Sequence, residues 1–357
     1  MAKKNNPAVS VIIPMYNVEN FIGECLTSLL EQTFQDFEII IIDDCSTDDS
    51  PRVAASFYEN FGDRLKIAKL SANSGCPGIP RNFALEMACG EYVYFLDSDD
   101  FLSGTALDEL YTVAKKFDAD VVHAEWHISF RNVNGKFEFK RTSFQEGNFV
   151  TEPTLETFDL SERVTDFAEK KYLWWACNKL FRRQLLTENE IKFPEVSVFE
   201  DMVFTFMCVV AAKNYVRVPF ASYCYRRHDK SISLKKRGTV ESTNVVIKIV
   251  NALDNFMDGQ KFFRNNPQCK YVILDSFLQG QLDCAAKTMF INSSHGALFN
   301  FFRDNIFSVN PQDNVALTSY LFVAASTFKK LLNQQATEIN NLKNQVAVLK
   351  DNLEVEN

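Results

Sequence analysis

A chain of 357 residues, 46% hydrophobic and 24% charged, is long enough to bury a substantial core and leads to an expectation of two domains, or one large domain with an extension. Its net charge of -8 argues against the basic footprint of a nucleic-acid-binding protein, so no nucleic-acid partner is expected. The 33 Phe and 11 Tyr exclude a disordered chain, and the 9 Cys include no C-x-x-C pair, which argues against zinc ribbons and redox motifs.

Val9-Ser10-Val11-Ile12-Ile13-Pro14 predicts a short first strand that stops at the proline, which lacks the N–H a central ladder needs. A helix is predicted over Val18–Gln32, with Phe21, Ile22, Cys25, Leu26, Leu29 and Leu30 on one stripe. Phe37–Ile42 is a continuous apolar run of the kind buried on both faces of a parallel sheet, and it ends in Asp43-Asp44. A second helix is predicted up to about Asn60, a third strand over Leu65–Leu70, a Gly/Pro-rich loop over 73–80 and a helix over Arg81–Ala88. Tyr92–Leu96 reads as a fourth strand, running into Asp97-Ser98-Asp99-Asp100. Strand and helix in alternation predict a doubly wound α/β sheet, where ligands bind beyond the carboxyl ends of the strands. Asp43/Asp44 and Asp97/Asp99/Asp100 therefore converge on one edge.

Beyond Asp120 the pattern changes. Val121–Ile128 predicts a strand, and Asn134-Gly135 a hairpin turn ahead of Phe137–Phe139. Residues 174–206 predict a Trp-Trp strand, a short helix over Phe181–Leu186 and a helix opening near Glu200. After about Lys235 the chain reads mainly helical, with breaks near Asn265-Asn266-Pro267 and Asn310-Pro311. Ala325, Leu332, Ile339, Val346 and Leu353 recur at heptad spacing, with Phe328, Gln335, Leu342 and Leu349 at the companion position. Two readings fit that seam: a coiled coil joining copies into a dimer or trimer, or an amphipathic helix packed on its own domain. The Phe-rich stretches 299–307 and 320–332 fit peripheral contact with a membrane or packing in a core or oligomer. No apolar run approaches about 18 residues and the N-terminus has no leader-like segment, so the expected location is the cytoplasm, with any membrane contact peripheral and at the inner face.

Several clusters carry chemistry. Two carboxylates one residue apart, Asp97 and Asp99, call for a compensating cation, and a hard divalent metal holding phosphate oxygens supplies one; an acidic N-capping turn before a helix near Thr105 fits equally. Glu200-Asp201, taken alone, reads as the acidic first turn of a helix. The basic segment Tyr225–Ser233 is an anion clamp or a solvated loop. Trp174 and Trp175 serve as a sugar-stacking platform or as core. His123 and His127, four apart on a strand, share a sheet face as ordinary residues.

Four motifs, V-S-V-I-I-P-M-Y-N, I-I-D-D-C-S-T-D, N-S-G-C-P-G-I-P-R-N and F-L-D-S-D-D, stand in order at consecutive strand ends within residues 8–125. K-L-F-R-R, F-E-D-M-V-F and Y-R-R-H-D-K-S-I-S extend the pattern more loosely to about residue 235. This combination resembles the inverting family 2 glycosyltransferases of GT-A fold, the Rossmann-like fold of nucleotide-diphospho-sugar transferases. The resemblance implies a GT-A domain over 1–235, with the nucleotide-sugar half in 1–125 and the acceptor side and base in 126–235. A helical region over 236–320 and an oligomerising coiled coil over 321–357 would follow. It implies that Pro14 and Tyr16 line the nucleoside pocket, that Asp44 accepts from uracil N3–H, and that Asn73 lies near the ribose with Arg81 near the diphosphate or base. Pro80 stands where the family usually has a small residue. Asp97 would contact ribose or donor sugar, Asp99 would ligate Mn²⁺ or Mg²⁺, and Arg226 and His228 would close over the diphosphate. Asp201 would be the general base, with Glu200, Trp174 and Trp175 on the acceptor side. The implied reaction moves a sugar from a UDP-sugar to a hydroxyl of a glycan or lipid-linked acceptor in bacterial surface-polysaccharide synthesis, such as capsule, lipopolysaccharide or wall teichoic acid decoration. A sugar-nucleotide nucleotidyltransferase would carry an N-terminal glycine-rich triphosphate loop, and residues 10–20 contain no Gly. A non-catalytic scaffold of the same fold would have lost Asp99 or Asp201, and both are present.

Overall fold

Two runs of β-branched residues form the centre of the sheet. In the computed structural model, which describes residues 6–133, 136–143, 149–228 and 239–277, β1 (Val9–Met15) and β2 (Phe37–Asp43) are buried along their whole length. Between and after them come α1 (Ile22–Leu30), α2 (Ser50–Ser56), α3 (Tyr58–Phe61), β3 (Leu65–Lys69), α4 (Gly78–Met87) and β4 (Tyr92–Phe95). Then follow β5 (Phe101–Leu102), α5 (Ala106–Lys116), the long hairpin of β6 (Val121–Val133) and β7 (Lys136–Thr142), β8 (Thr154–Leu155) and α6 (Leu160–Ala168). A 3₁₀ turn (Ala176–Asn178) leads into β9 (Lys179–Arg182), α7 (Arg183–Glu188), α8 (Glu200–Ala211), β10 (Tyr215–Arg226), α9 (Thr239–Gly259) and α10 (Lys261–Asn265).

The sheet runs β3-β2-β1-β4-β9-β6-β10-β5, with β7 on β6 and β8 on β10. β1 to β4 are mutually parallel, as the alternation predicts. Past β4 the sheet is mixed, because β9 enters antiparallel between β4 and β6. Reversing twice leaves β6 and β10 pointing the same way as β1, so six strands deliver their carboxyl ends to one edge. β9 begins at that edge instead of ending there.

Four local expectations change. β1 continues through Pro14 to Met15, since its ladder with β4 ends at Ile12↔Phe95 and the last residues pair with β2 alone. The helix expected up to Asn60 is two short ones, α2 and α3, meeting at Phe57. α4 starts at Gly78 rather than Arg81, which puts Pro80 in the first turn, where its missing N–H leaves no helix bond unmade. Trp174-Trp175 is not a strand: it lies in the loop before the 3₁₀ turn, and the strand is Lys179–Arg182. The Asn134-Gly135 turn falls outside the described residues, although Val133↔Lys136 closes the hairpin on either side of it.

α9 and α10 pack on α8 around Phe206, whose ring centroid lies 6.1 Å from Phe256 and 6.0 Å from Phe263. Contacts divide the chain after Ile273. The seam 325–353 and the Phe-rich stretches lie outside the described residues. Among the described residues no helix is long and apolar enough to cross a membrane, and every cysteine is free.

Candidate functional site

The edge where the strands end collects the acidic residues, and each is held differently. At the end of β2 the Asp43 carboxylate accepts from Ser46 N–H at 2.8 Å, turning the chain through Cys45, whose φ is 60°. Asp44 is buried, and its carboxylate accepts from Ser74 N–H (2.7 Å), Ser74 Oγ (2.8 Å) and Asn73 Nδ2 (3.3 Å). Asn73 also donates to the Asp44 carbonyl at 2.9 Å. The acidic strand end and the glycine loop are thus one unit. Pro14, buried in β1, and Tyr16, 46% exposed just beyond it, border the same corner.

After β4 the carboxylates of Asp97, Asp99 and Asp100 diverge. Asp97 Oδ1 accepts from Arg81 at 2.6 Å, and its Oδ2 lies 3.4 Å from the Tyr223 hydroxyl. Asp99 Oδ2 is 2.9 Å from His228 Nε2. Asp100 is buried, accepting from the Tyr223 hydroxyl and from Arg226 N–H. Burial and the two neighbouring carboxylates push the Asp100 carboxyl well up from its ordinary range. It ties the turn after β4 to β10.

Arg81 links the halves of the site. Buried on α4, it sends one guanidinium nitrogen to Asp97 and another to Glu200 at 2.7 Å, while its plane lies 5.2 Å above the Phe193 ring. Between two carboxylates it stays charged despite burial. Glu200 opens α8, and the preceding Phe199 is left-handed (φ 62°), a strained conformation for a bulky residue that swings the helix start into the edge. Asp201 follows, its Oδ1 accepting from Met202 N–H. Burial and the adjacent Glu200 push its carboxyl up to about 7, against the opposing pull of Arg81.

Arg226 and His228 are brought to the edge but engaged by protein. Arg226 bonds Glu24 of α1 and the Asp99 carbonyl, with its guanidinium 4.6 Å over Phe130. His228 stacks on Phe21 at 4.6 Å. Trp175 is half-buried, packed on His127 (4.9 Å) and Tyr225 (5.1 Å) against the core. Trp174 stacks on Phe167 at 6.4 Å, and its carbonyl accepts from Thr205 of α8. His123 and His127 are both buried side chains of β6, as expected of ordinary sheet residues. Sequence reasoning gave no role to Ser74, Tyr223, Glu24 or Lys179, although Ser74 and Lys179 stand inside motifs quoted above. Ser74 sits beside the Asn73 already singled out, whereas the other three touch the site only through sheet order and helix packing.

Among the described residues no three His, Cys, Asp or Glu side chains form a cation cage. Asp99 and His228, facing each other at the rim, are a two-donor start to one.

The family model described as Glycosyl transferase family 2 matches residues 10–188. A poly(ribitol-phosphate) beta-glucosyltransferase of Bacillus spizizenii is 35% identical over 209 residues, covering 58% of this chain and 30% of that protein. The poly(ribitol-phosphate) beta-N-acetylglucosaminyltransferase TarS of Staphylococcus aureus is 34% identical over 219 residues, 60% of this chain and 35% of TarS. This chain therefore matches about a third of the length of these curated relatives. The crystal structure of S. aureus TarS 1–349 in complex with UDP-GlcNAc superposes with a TM-score of 0.59 at 26% identity, covering 76% of this chain and 72% of that one.

Proposed function

The chain belongs to glycosyl transferase family 2, and from that membership we propose that it is an inverting transferase moving a sugar from a UDP-sugar to a hydroxyl of a cell-surface glycan polymer. The observation that carries the reading is the meeting of Asp44, Asp97, Asp99, Arg81, Glu200 and Asp201 at one sheet edge, with Asp201 pushed up towards neutrality. The matched relatives named for poly(ribitol-phosphate), and the TarS structure named for UDP-GlcNAc, support the donor and the acceptor class.

In this reading the nucleoside lies against Pro14 and Tyr16. Asp44 uses three acceptor positions on the loop, and a carboxylate offers about four, so one remains for uracil N3–H. Asn73 fixes that loop by the ribose. Asp97, aimed by Arg81, meets the ribose or donor sugar. Asp99, facing His228 at the rim, would hold a hard divalent cation, Mn²⁺ or Mg²⁺, through its carboxylate oxygen. What such a cation supplies when bound is positive charge for the diphosphate. Arg226 adds its own charge once released from Glu24.

Asp201 Oδ takes the proton of the acceptor hydroxyl while that oxygen forms its bond to the anomeric carbon. The bond from that carbon to the diphosphate oxygen breaks on the opposite face, its electron pair leaves with UDP, and the configuration inverts. A base poised near working pH suits the task. Met202 N–H holds it, Glu200 and Arg81 tune its charge, and Trp174 borders the acceptor side.

The test couples binding to turnover. UDP at about 100 times its dissociation constant should stabilise the chain by about 2.7 kcal/mol in thermal unfolding. Asp99→Asn should remove the part of that shift that Mn²⁺ or Mg²⁺ adds. Asp201→Asn should keep the UDP shift and lose transfer from UDP-GlcNAc or UDP-glucose to poly(ribitol-phosphate) by about 10²–10⁴-fold. No UDP shift, or transfer by Asp201→Asn at the wild-type rate, would sink the reading.

A further inference from the structure

Lys179, the first residue of β9, is fully buried, and its ammonium donates to the carbonyls of Leu173 (2.5 Å) and Trp175 (2.7 Å). Neither partner is a carboxylate. Burying an ammonium on carbonyls alone is unfavourable, and an apolar chain of the same length would fill the space without that penalty. The position of the charge therefore calls for an explanation.

β9 starts at the edge where the other strands end, so Lys179 stands under the loop that carries Trp174. That loop is gripped from both sides: Lys179 takes the carbonyls flanking Trp174, and Thr205 of α8 takes the carbonyl of Trp174 itself at 2.7 Å. Thr205 lies one turn along the helix that begins Glu200-Asp201. The groups that feel the ammonium are Cys177 from the turn, Asp201 and Cys208 from α8, and His123, its register partner on β6, which in turn pairs with Arg217 of β10. Asp201 is the carboxylate among them.

We propose that Lys179 is a positioning residue of the acceptor side: it locks the Leu173–Trp175 loop onto α8 and sets its positive charge within electrostatic range of Asp201. The inference rests on the reading of Asp201 as the base. Loop geometry and base protonation then meet in one group: the Asp201 charge favours the Lys179 ammonium, and that attraction is reciprocal. Burial also pushes the Lys179 ammonium down from its ordinary value, so the charge states of the two groups are linked.

The direct measurement is NMR titration of the full chain, following the Asp201 carboxyl carbon, assigned by its loss in Asp201→Asn, and the Lys179 ammonium nitrogen. In the wild type each resonance should show an inflection at the other's midpoint. Lys179→Met should move the Asp201 midpoint up by about one pH unit, while Lys179→Arg should leave it in place. Thr205→Ala, which frees the loop without touching charge, should leave the midpoint alone and raise KM for poly(ribitol-phosphate) roughly tenfold, with UDP affinity unchanged. Independent wild-type titrations, an unmoved midpoint in Lys179→Met, or an unchanged polymer KM in Thr205→Ala would each overturn the proposal. The wild-type and Thr205→Ala arms stand even where Lys179→Met does not fold. Failure of the base reading looks different: Asp201→Asn then transfers at the wild-type rate whatever the titrations show.

Discussion

At Arg81 a single guanidinium serves two carboxylates that belong to different halves of the chain, Asp97 at the end of β4 and Glu200 at the start of α8. The Glu200 and Arg81 side chains are buried, so removing the cation strands a negative charge out of water. Arg81→Met is expected to lower stability by about 3–5 kcal/mol in urea denaturation at pH 7.5. The same substitution removes the cation that opposes the rise of Asp201, so any residual transfer should need more alkaline conditions. Arg81→Lys should recover only part of the loss, because an ammonium cannot span both carboxylates as the planar fork does. A loss under about 1 kcal/mol for Arg81→Met would mean that water reaches the triad and that it holds nothing together.

At the scale of elements, the approach of α4 to the 193–194 loop decides where Arg81 sits. Asn82 clamps that loop by exchanging two hydrogen bonds with the Phe193 backbone, each 2.9 Å. The contact is so close that a Cβ on Gly78 would stand 2.9 Å from the Pro194 carbonyl oxygen and 3.0 Å from Phe193 Cβ. Gly78→Ala is favoured by helix propensity by about 1 kcal/mol, yet the clash is with backbone that cannot swing away. The expected net effect is destabilisation by about 1–3 kcal/mol with weaker UDP binding, measured by urea denaturation and calorimetry. A stabilised Gly78→Ala would show that α4 can slide without disturbing Arg81. The contrast between α4 and β9 also shows what the sequence makes legible. Asp44, Asp97 and Asp99 could be picked out because each follows a strand, and strand ends share an edge in a parallel sheet, whereas Glu200-Asp201 stood out only through the resemblance of F-E-D-M-V-F. The roles of Tyr223, Glu24 and Lys179 could not be read, although Lys179 opens the K-L-F-R-R motif, because they reach the site only once β9 reverses and β10 lies beside β5 and β6. Hydrophobic period reports whether a run is a strand, not which way it points or what it pairs with. The same blindness misplaced the Trp-Trp pair, whose apolar character suits a buried loop as well as a strand.

For the molecule as a whole, a carboxyl held near neutrality has a consequence for global stability. Asp201 ionises near 3.8 in an unstructured chain and near 7 in the fold, so between those values the folded state keeps a proton that the unfolded state has released. Its stabilising share is present in full below about pH 4, is lost as the pH rises through 7, and stays lost above. Asp100 shifts in the same direction for the same reason, burial among like charges. His127 acts oppositely: burial brings it from 6.5 down to about 4, so its share is present above 6.5 and is lost as the pH falls through 4. Acid therefore weakens the fold through a histidine forced to charge, and neutral pH weakens it through carboxylates forced to ionise. Asp201→Asn removes one of the second kind while keeping the shape of the side chain. The variant and the wild type are expected to unfold at similar urea concentrations at pH 4.5. At pH 8 the variant should be more stable by on the order of 2 kcal/mol, although its transfer is cut by about 10²–10⁴-fold. A gap that is constant between the two pH values would mean that Asp201 ionises in the fold as it does in the open chain, and the reason for assigning it the acceptor's proton would go with it.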